Sequence, residues 1–106
     1  MPKYLLKASY TGEGTRGLMK EGGTARRAAV DKLITSRGGK METFYYTFGD
    51  SDAIVIFDAP SNTVAAAGSL IANSTGLVSV TITPLLTVEE VDAASKMTGQ
   101  YRAPGQ

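Results

Sequence analysis

Three small groups of residues in this sequence have types and spacings suited to chemistry. Asp50 and Asp52 flank Ser51 in the turn GDSD. Two carboxylates this close, at the rim of a cleft, can raise one pKa and make that group a general base. The same pair also suits a plain turn, where Asp accepts local backbone N–H groups. Asp52 is the more pointed of the two. It opens the apolar run AIVIFD, where a buried carboxylate needs a partner. Arg26 and Arg27 in GGTARR, or Lys20 just before, are the candidate partners. Two guanidinium groups on the first turn of a helix form a candidate anion site for a carboxylate or phosphate. Cations at that end oppose the helix dipole, and a solvated face with an ion pair to Asp52 or Glu21 is the plainer account. The third group is aromatic: Tyr4, Tyr10, Tyr45, Tyr46 and Phe48. It suits a pocket for a planar ligand, although core or interface packing is the commoner use. Tyr45 is the first choice for a pocket, because it shares a strand face with Thr43 and Thr47.

What is missing narrows the chemistry further. The chain has no His and no Cys. The commonest general base, the commonest transition-metal ligand, the usual proximal haem ligand and the thiol nucleophile are therefore absent. Asp50 and Asp52 alone are too few ligands for a metal site, so none is expected. No cofactor is expected either. The glycines of GGTARR are not a P-loop, since no Lys-Ser/Thr follows at the needed spacing. The formal net charge of +1 gives no electrostatic case for nucleic acid or an anionic membrane. The N-terminus MPKYLLKASY lacks a signal-peptide apolar region, and no stretch approaches the ~20 apolar residues of a membrane span. A soluble cytoplasmic protein is the expectation.

The elements that must position these residues are legible in order. At 106 residues the chain is one domain by length. Lys3 to Tyr10 alternates as a strand. Thr15 is read as the cap of a short helix to about Glu21, and Gly22-Gly23 as a kink or break. Thr24 is read as the N-cap of a second helix, Ala25 to Arg37, in which Ala29, Val30, Leu33 and Ile34 recur at helical spacing. Gly38-Gly39 supplies its left-handed stop. Lys40 to Phe48 and Ala53 to Asp58 form an aromatic-rich hairpin. In its first strand Phe44, Tyr46 and Phe48 share one face, and Met41, Thr43, Tyr45 and Thr47 the other. Both strands are apolar on both faces, which predicts a hairpin in the middle of a sheet with something packed above and below. Ser61 caps an alanine-rich helix, VAAAGSLIA, that ends at Thr75-Gly76. Leu77 to Pro84 is the last strand, with Pro84 at an edge or end. Thr87-Val88-Glu89-Glu90 is a capping box opening a final helix to about Met97. The domain spans 1–98. The tail, 99–106, is irregular, either disordered or an arm on a partner.

The order β-α-β-β-α-β plus a C-terminal helix is the split β-α-β pattern of a ferredoxin-like α+β fold with an antiparallel four-stranded sheet. Helices cover one sheet face. The other keeps more apolar side chains than a monomer usually exposes, which predicts a homodimer through that open face. The alternative is a monomer whose C-terminal helix and tail fold back over it.

The sequence resembles the GYD-domain family of small bacterial proteins. The matching residues run nearly end to end: Tyr4 to Tyr10, Lys20-Glu21-Gly22-Gly23-Thr24-Ala25-Arg26-Arg27, Gly38-Gly39, Phe44-Tyr45, Phe48-Gly49, Asp52, Asp58-Ala59-Pro60, Gly76 and Leu85 through Asp92. The Tyr of the family's Gly-Tyr-Asp signature is replaced here by Ser51, so no role of that hydroxyl carries over. The resemblance implies a dimeric α+β barrel, in which two ferredoxin-like subunits pack their sheets together. Cofactor-free monooxygenases, haem enzymes, isomerases and ligand-sensing modules share that architecture, so it argues function only by analogy.

Two functional readings follow. In the first, the domain is a dimeric binding or assembly module, with Arg26, Arg27, Tyr10, Tyr45 and Asp50 available to a small organic ligand. In the second, it is a cofactor-independent enzyme of the monooxygenase or isomerase kind, acting on an aromatic or enolisable substrate. Asp52 is then the base, Arg27 the anion stabiliser and Tyr45 a hydrogen-bond donor. The second reading requires those three residues to converge on one cleft between helix and sheet.

Overall fold

The computed structural model describes all 106 residues. Eight elements follow one another: β1 (Lys3–Tyr10), α1 (Gly12–Glu21), α2 (Gly23–Ser36), β2 (Lys40–Tyr46), β3 (Ala53–Asp58), α3 (Asn62–Ser74), β4 (Val78–Leu85) and α4 (Val88–Ser95). The four strands form one sheet in the order β2-β3-β1-β4, with every neighbour antiparallel. This is a ferredoxin-like α+β arrangement.

Register decides which side chains meet the helices. Tyr4 lies opposite Phe57 and Pro84, Leu6 opposite Val55 and Ile82, and Ala8 opposite Ala53 and Val80. These positions share the helix-covered face and hold the core, where Tyr4 and Val55 are each 1% exposed. The Tyr4 ring stacks on Phe57 with centroids 5.5 Å apart. Its hydroxyl donates to Asn62 Oδ1 at 2.6 Å, so the one polar atom of that core ring is satisfied by α3. Leu5, Ile54, Ile56, Tyr45 and Leu85 alternate onto the opposite face, which no helix of this chain covers.

Several local expectations change. The hairpin is not central as a unit. β3 is an inner strand, but β2 forms one edge of the sheet. A bulge between Met41 and Thr43 also shifts the alternation in β2. Met41 therefore pairs with Phe57 and joins Phe44 and Tyr46 on the covered face, rather than Tyr45 on the other, because one extra residue flips every side chain beyond it. β2 stops at Tyr46, and Phe48 stands fully exposed in the turn.

The first helix begins earlier than its glycines suggest. Thr11, not Thr15, is the N-cap, with its side chain accepting from the Gly14 amide. A Cβ at Gly14 would collide with the Leu77 carbonyl, so glycine is what lets α1 lie against the entry to β4. α1 ends at Gly22, whose φ of 87° only glycine adopts readily, and α2 starts immediately, with Gly22 rather than Thr24 at its N-cap. Ser61 caps α3, and the Thr87–Glu90 capping box is fully formed on α4.

The fold-back alternative is not realised. α4 packs against no strand or helix to any substantial extent, and Leu86, Val88, Val91, Met97 and Tyr101 stand exposed along this segment. The radius of gyration is 17.0 Å, where a compact chain of this length has about 13 Å. The C-terminal segment thus extends from the body. No helix is long and apolar enough to cross a membrane.

Candidate functional site

The helices do not close over the sheet. α1 and α2 sit toward β1 and β2, α3 sits against β4, and α2 and α3 do not pack on each other. Between them lies a cleft of about 390 Å³, floored by Leu6, Val55 and Val80 and walled by hydrophobic residues of all three helices. The sequence of α3 explains the space. Ala65, Gly68 and Ala72 present the smallest side chains to the cleft, and a Cβ at Gly68 would meet nothing within 4 Å. Small residues let this alanine-rich helix pack close to β4. Here they also leave its neighbour out of reach.

The polar groups of the cleft gather where β1 ends and α1 meets α2. Tyr10, Glu21 and Arg26 line it there. Arg26 lies 3.6 Å from Glu21, both side chains being partly solvated. The Tyr10 hydroxyl is close enough to Tyr46, Arg26, Asp52 and Glu21 for each to bear on its ionisation, yet no hydrogen bond within the chain engages it. Burial is the main reason that the Tyr10 phenol titrates above its ordinary value. Tyr46 is raised too, again chiefly by burial, and its hydroxyl donates to the Gly23 carbonyl at 2.8 Å. That bond ties β2 to the first residue of α2 and so fixes the α1–α2 junction over the strand ends.

Asp52 positions this corner. Its Oδ2 accepts the Tyr10 backbone amide at 2.8 Å, and its own amide donates to the Ala8 carbonyl at 2.7 Å. The carboxylate thus finds its partner in a backbone N–H, not in Arg26, Arg27 or Lys20. It continues the β1–β3 pairing one step past Ala8 and Ala53, and holds Tyr10 at the cleft wall.

The sequence-derived candidates divide between regions. Tyr10 and Arg26 line the cleft, and Asp52 lies behind Tyr10. Arg27 is exposed on α2 near Tyr46, outside the cleft lining. Asp50 is exposed in the β2–β3 turn. Tyr45 pairs with Ile54 on the open face and is 69% exposed. Asp52, Arg27 and Tyr45 therefore do not converge: strand alternation sends Tyr45 to the side of the sheet opposite the helices. No three acidic side chains gather closely enough to hold a metal. Sequence reasoning missed the walls of the cleft, above all Gly68. The signal was a glycine in mid-helix at a core-facing position, where its helix cost of roughly 1 kcal/mol calls for a reason.

Fold and site together define a small α+β domain with a ferredoxin-like sheet and an apolar cleft between that sheet and its helices. A family model identifies which such domain it is. Residues 4–95 match the GYD domain, and the chain belongs to the GYD domain family. No curated protein and no solved structure matches it.

Proposed function

We propose that this GYD domain is a homodimeric binding module, which holds a small, mainly apolar organic molecule in the helix–sheet cleft and associates through the open sheet face. The observation that carries this reading is the cleft itself. Its volume falls in the range of small-molecule sites, its walls are apolar, and its few polar groups converge at one end. Leu5, Ile54, Ile56 and Leu85, left uncovered on the other face, support the association. Arg26 and Tyr10 are the ligand contacts, while Arg27, Asp50 and Tyr45 lie where they would meet a partner or solvent.

Native mass spectrometry of protein purified without refolding tests both halves. The expected species is a dimer carrying extra mass. Gly68→Leu is the companion variant, since the new side chain enters open space in the cleft. It should remove the extra mass and keep the dimer. It should also raise stability by up to about 1 kcal/mol, through helix propensity. A ligand that persists in Gly68→Leu sits elsewhere, and a monomer overturns the role of the open face.

A further inference from the structure

We infer that the cleft selects an electrically neutral ligand: an apolar body bearing one carbonyl oxygen, which accepts a hydrogen bond from the Tyr10 hydroxyl. This rests on the binding reading above and names the class of molecule bound.

The argument is one of charge balance. Four charged residues border the cleft: Glu13 and Glu21 against Arg26 and Arg37. They cancel. The one cation at the polar corner is already opposed by Glu21 at 3.6 Å. An anionic headgroup arriving there would meet a carboxylate as well as a guanidinium, and would lose its water to apolar walls without a cation of its own. The corner is partly solvated, but a charge drawn from it onto the apolar walls loses hydration with no net counter-charge to offset the loss. A cationic headgroup meets the mirror-image problem with Arg26. A neutral oxygen meets neither.

The corner offers such an oxygen a free donor. Tyr46 cannot serve, because its hydroxyl is spent on Gly23. Tyr10 can: its hydroxyl is uncommitted, and Asp52 fixes its backbone. A phenol is protonated at neutral pH and burial only raises its pKa further, so Tyr10 acts as a donor and not as a base. The remaining wall, including Val30, Leu33 and Ile71, is apolar and suits the rest of the molecule.

A matched pair of probes tests this: 2-acetylnaphthalene, neutral with one carbonyl, and 2-naphthoate, of similar shape but anionic. Both are titrated into the full chain at pH 7 and followed by ¹H–¹⁵N NMR. The ketone should move the amides of Val30, Leu33 and Ile71, and the carboxylate should bind about tenfold more weakly. Tyr10→Phe should weaken the ketone about fivefold, the effect of one neutral hydrogen bond. Glu21→Gln should improve the carboxylate by freeing Arg26 and leave the ketone unchanged, a gain that a misfolded variant would not give. Carboxylate binding in the cleft as tightly as the ketone, or a Tyr10→Phe variant that binds the ketone unchanged, overturns the inference and leaves the binding reading standing. If neither probe moves the cleft amides, the binding reading fails with it.

Discussion

The inner strand β3 is apolar on both faces, and the two faces have opposite fates. On β3, Ala53, Val55 and Phe57 point one way and are buried, while Ile54 and Ile56 point the other way and stay only partly covered. The side chains of the two sets differ little in hydrophobicity. What separates them is the helices, which β-α-β connections place on a single side. Even there coverage is incomplete, because α2 and α3 stand apart and leave the cleft. Only ten of 106 residues are buried, so the domain has a thin core and two apolar surfaces still to fill. The covered face holds the cleft, while the open face carries Lys7, Thr81 and Thr83 beside its aliphatic residues.

The largest effects should come from the covered face. Phe57 is 5% exposed and stacked on Tyr4. Phe57→Ala should cost about 3–5 kcal/mol, much of the 5–15 kcal/mol that a domain typically has. Urea denaturation measures it. A loss below about 1 kcal/mol would mean that this face is no better packed than the other.

Asp52→Ala comes next. It deletes the acceptor of the Tyr10 amide and should cost about 1.5–3 kcal/mol, the range for a hydrogen bond to a charged group. Asp52→Asn keeps a side-chain oxygen and should recover much of the loss. If Asp52 served only a ligand, both variants would unfold like the parent and differ only in binding.

Ile56→Lys sharpens the contrast between the faces. Ile56 neighbours Phe57 in sequence but lies on the open side. The substitution should change unfolding of the dilute monomer by no more than about 0.5 kcal/mol, as surface changes do. On the proposed association through this face, sedimentation equilibrium should nevertheless show the dimer lost, since the charge would sit among Leu5 and Ile54. A variant that unfolds as readily as Phe57→Ala would show that the open face is covered within the chain.

How far the sequence carries this picture depends on the range of the interactions. Element order, the Ser61 cap and the Thr87 capping box are local, written within a few residues each, and they read correctly. The β2 bulge is less local. Nothing in KMETFYY marks the extra residue, because the shift arises from how β2 fits the register of β3. The same limit hid the cleft. The Arg26–Glu21 ion pair, one of the alternatives legible in GGTARR, spans only five residues, but Tyr10 joins it only through the α1–α2 junction. Gly14 shows the same limit: its missing Cβ admits the Leu77 backbone from 63 residues away, which nothing near it in the chain signals. Asp52 was singled out because a carboxylate opening an apolar strand needs a partner. That argument held, but the partner was a main-chain amide, which no pattern of side chains could name.

The smallest effect is electrostatic and belongs to the covered corner alone. The Tyr10 and Tyr46 phenols titrate above their ordinary value of 10.0, in each case chiefly because burial disfavours the phenolate. In the unfolded chain both ionise near 10.0, so the folded state holds its protons to higher pH than the unfolded one. The stability linked to this difference is fully present below pH 10 and is lost as pH rises through the elevated folded values. Lys3 is raised as well, first through its hydrogen bond to Asp58, and it acts in the same direction, so a stability curve alone would mix the three. Absorbance at 295 nm separates them because only phenolates contribute. Tyr10 and Tyr46 should each ionise later in the native protein than in urea. Tyr10→Phe should remove one late step. If Tyr10 ionised no later in the native protein than in urea, the corner would be as wet as the open face, and the distinction between a sheltered cleft and a solvent-facing sheet would not hold at its polar end.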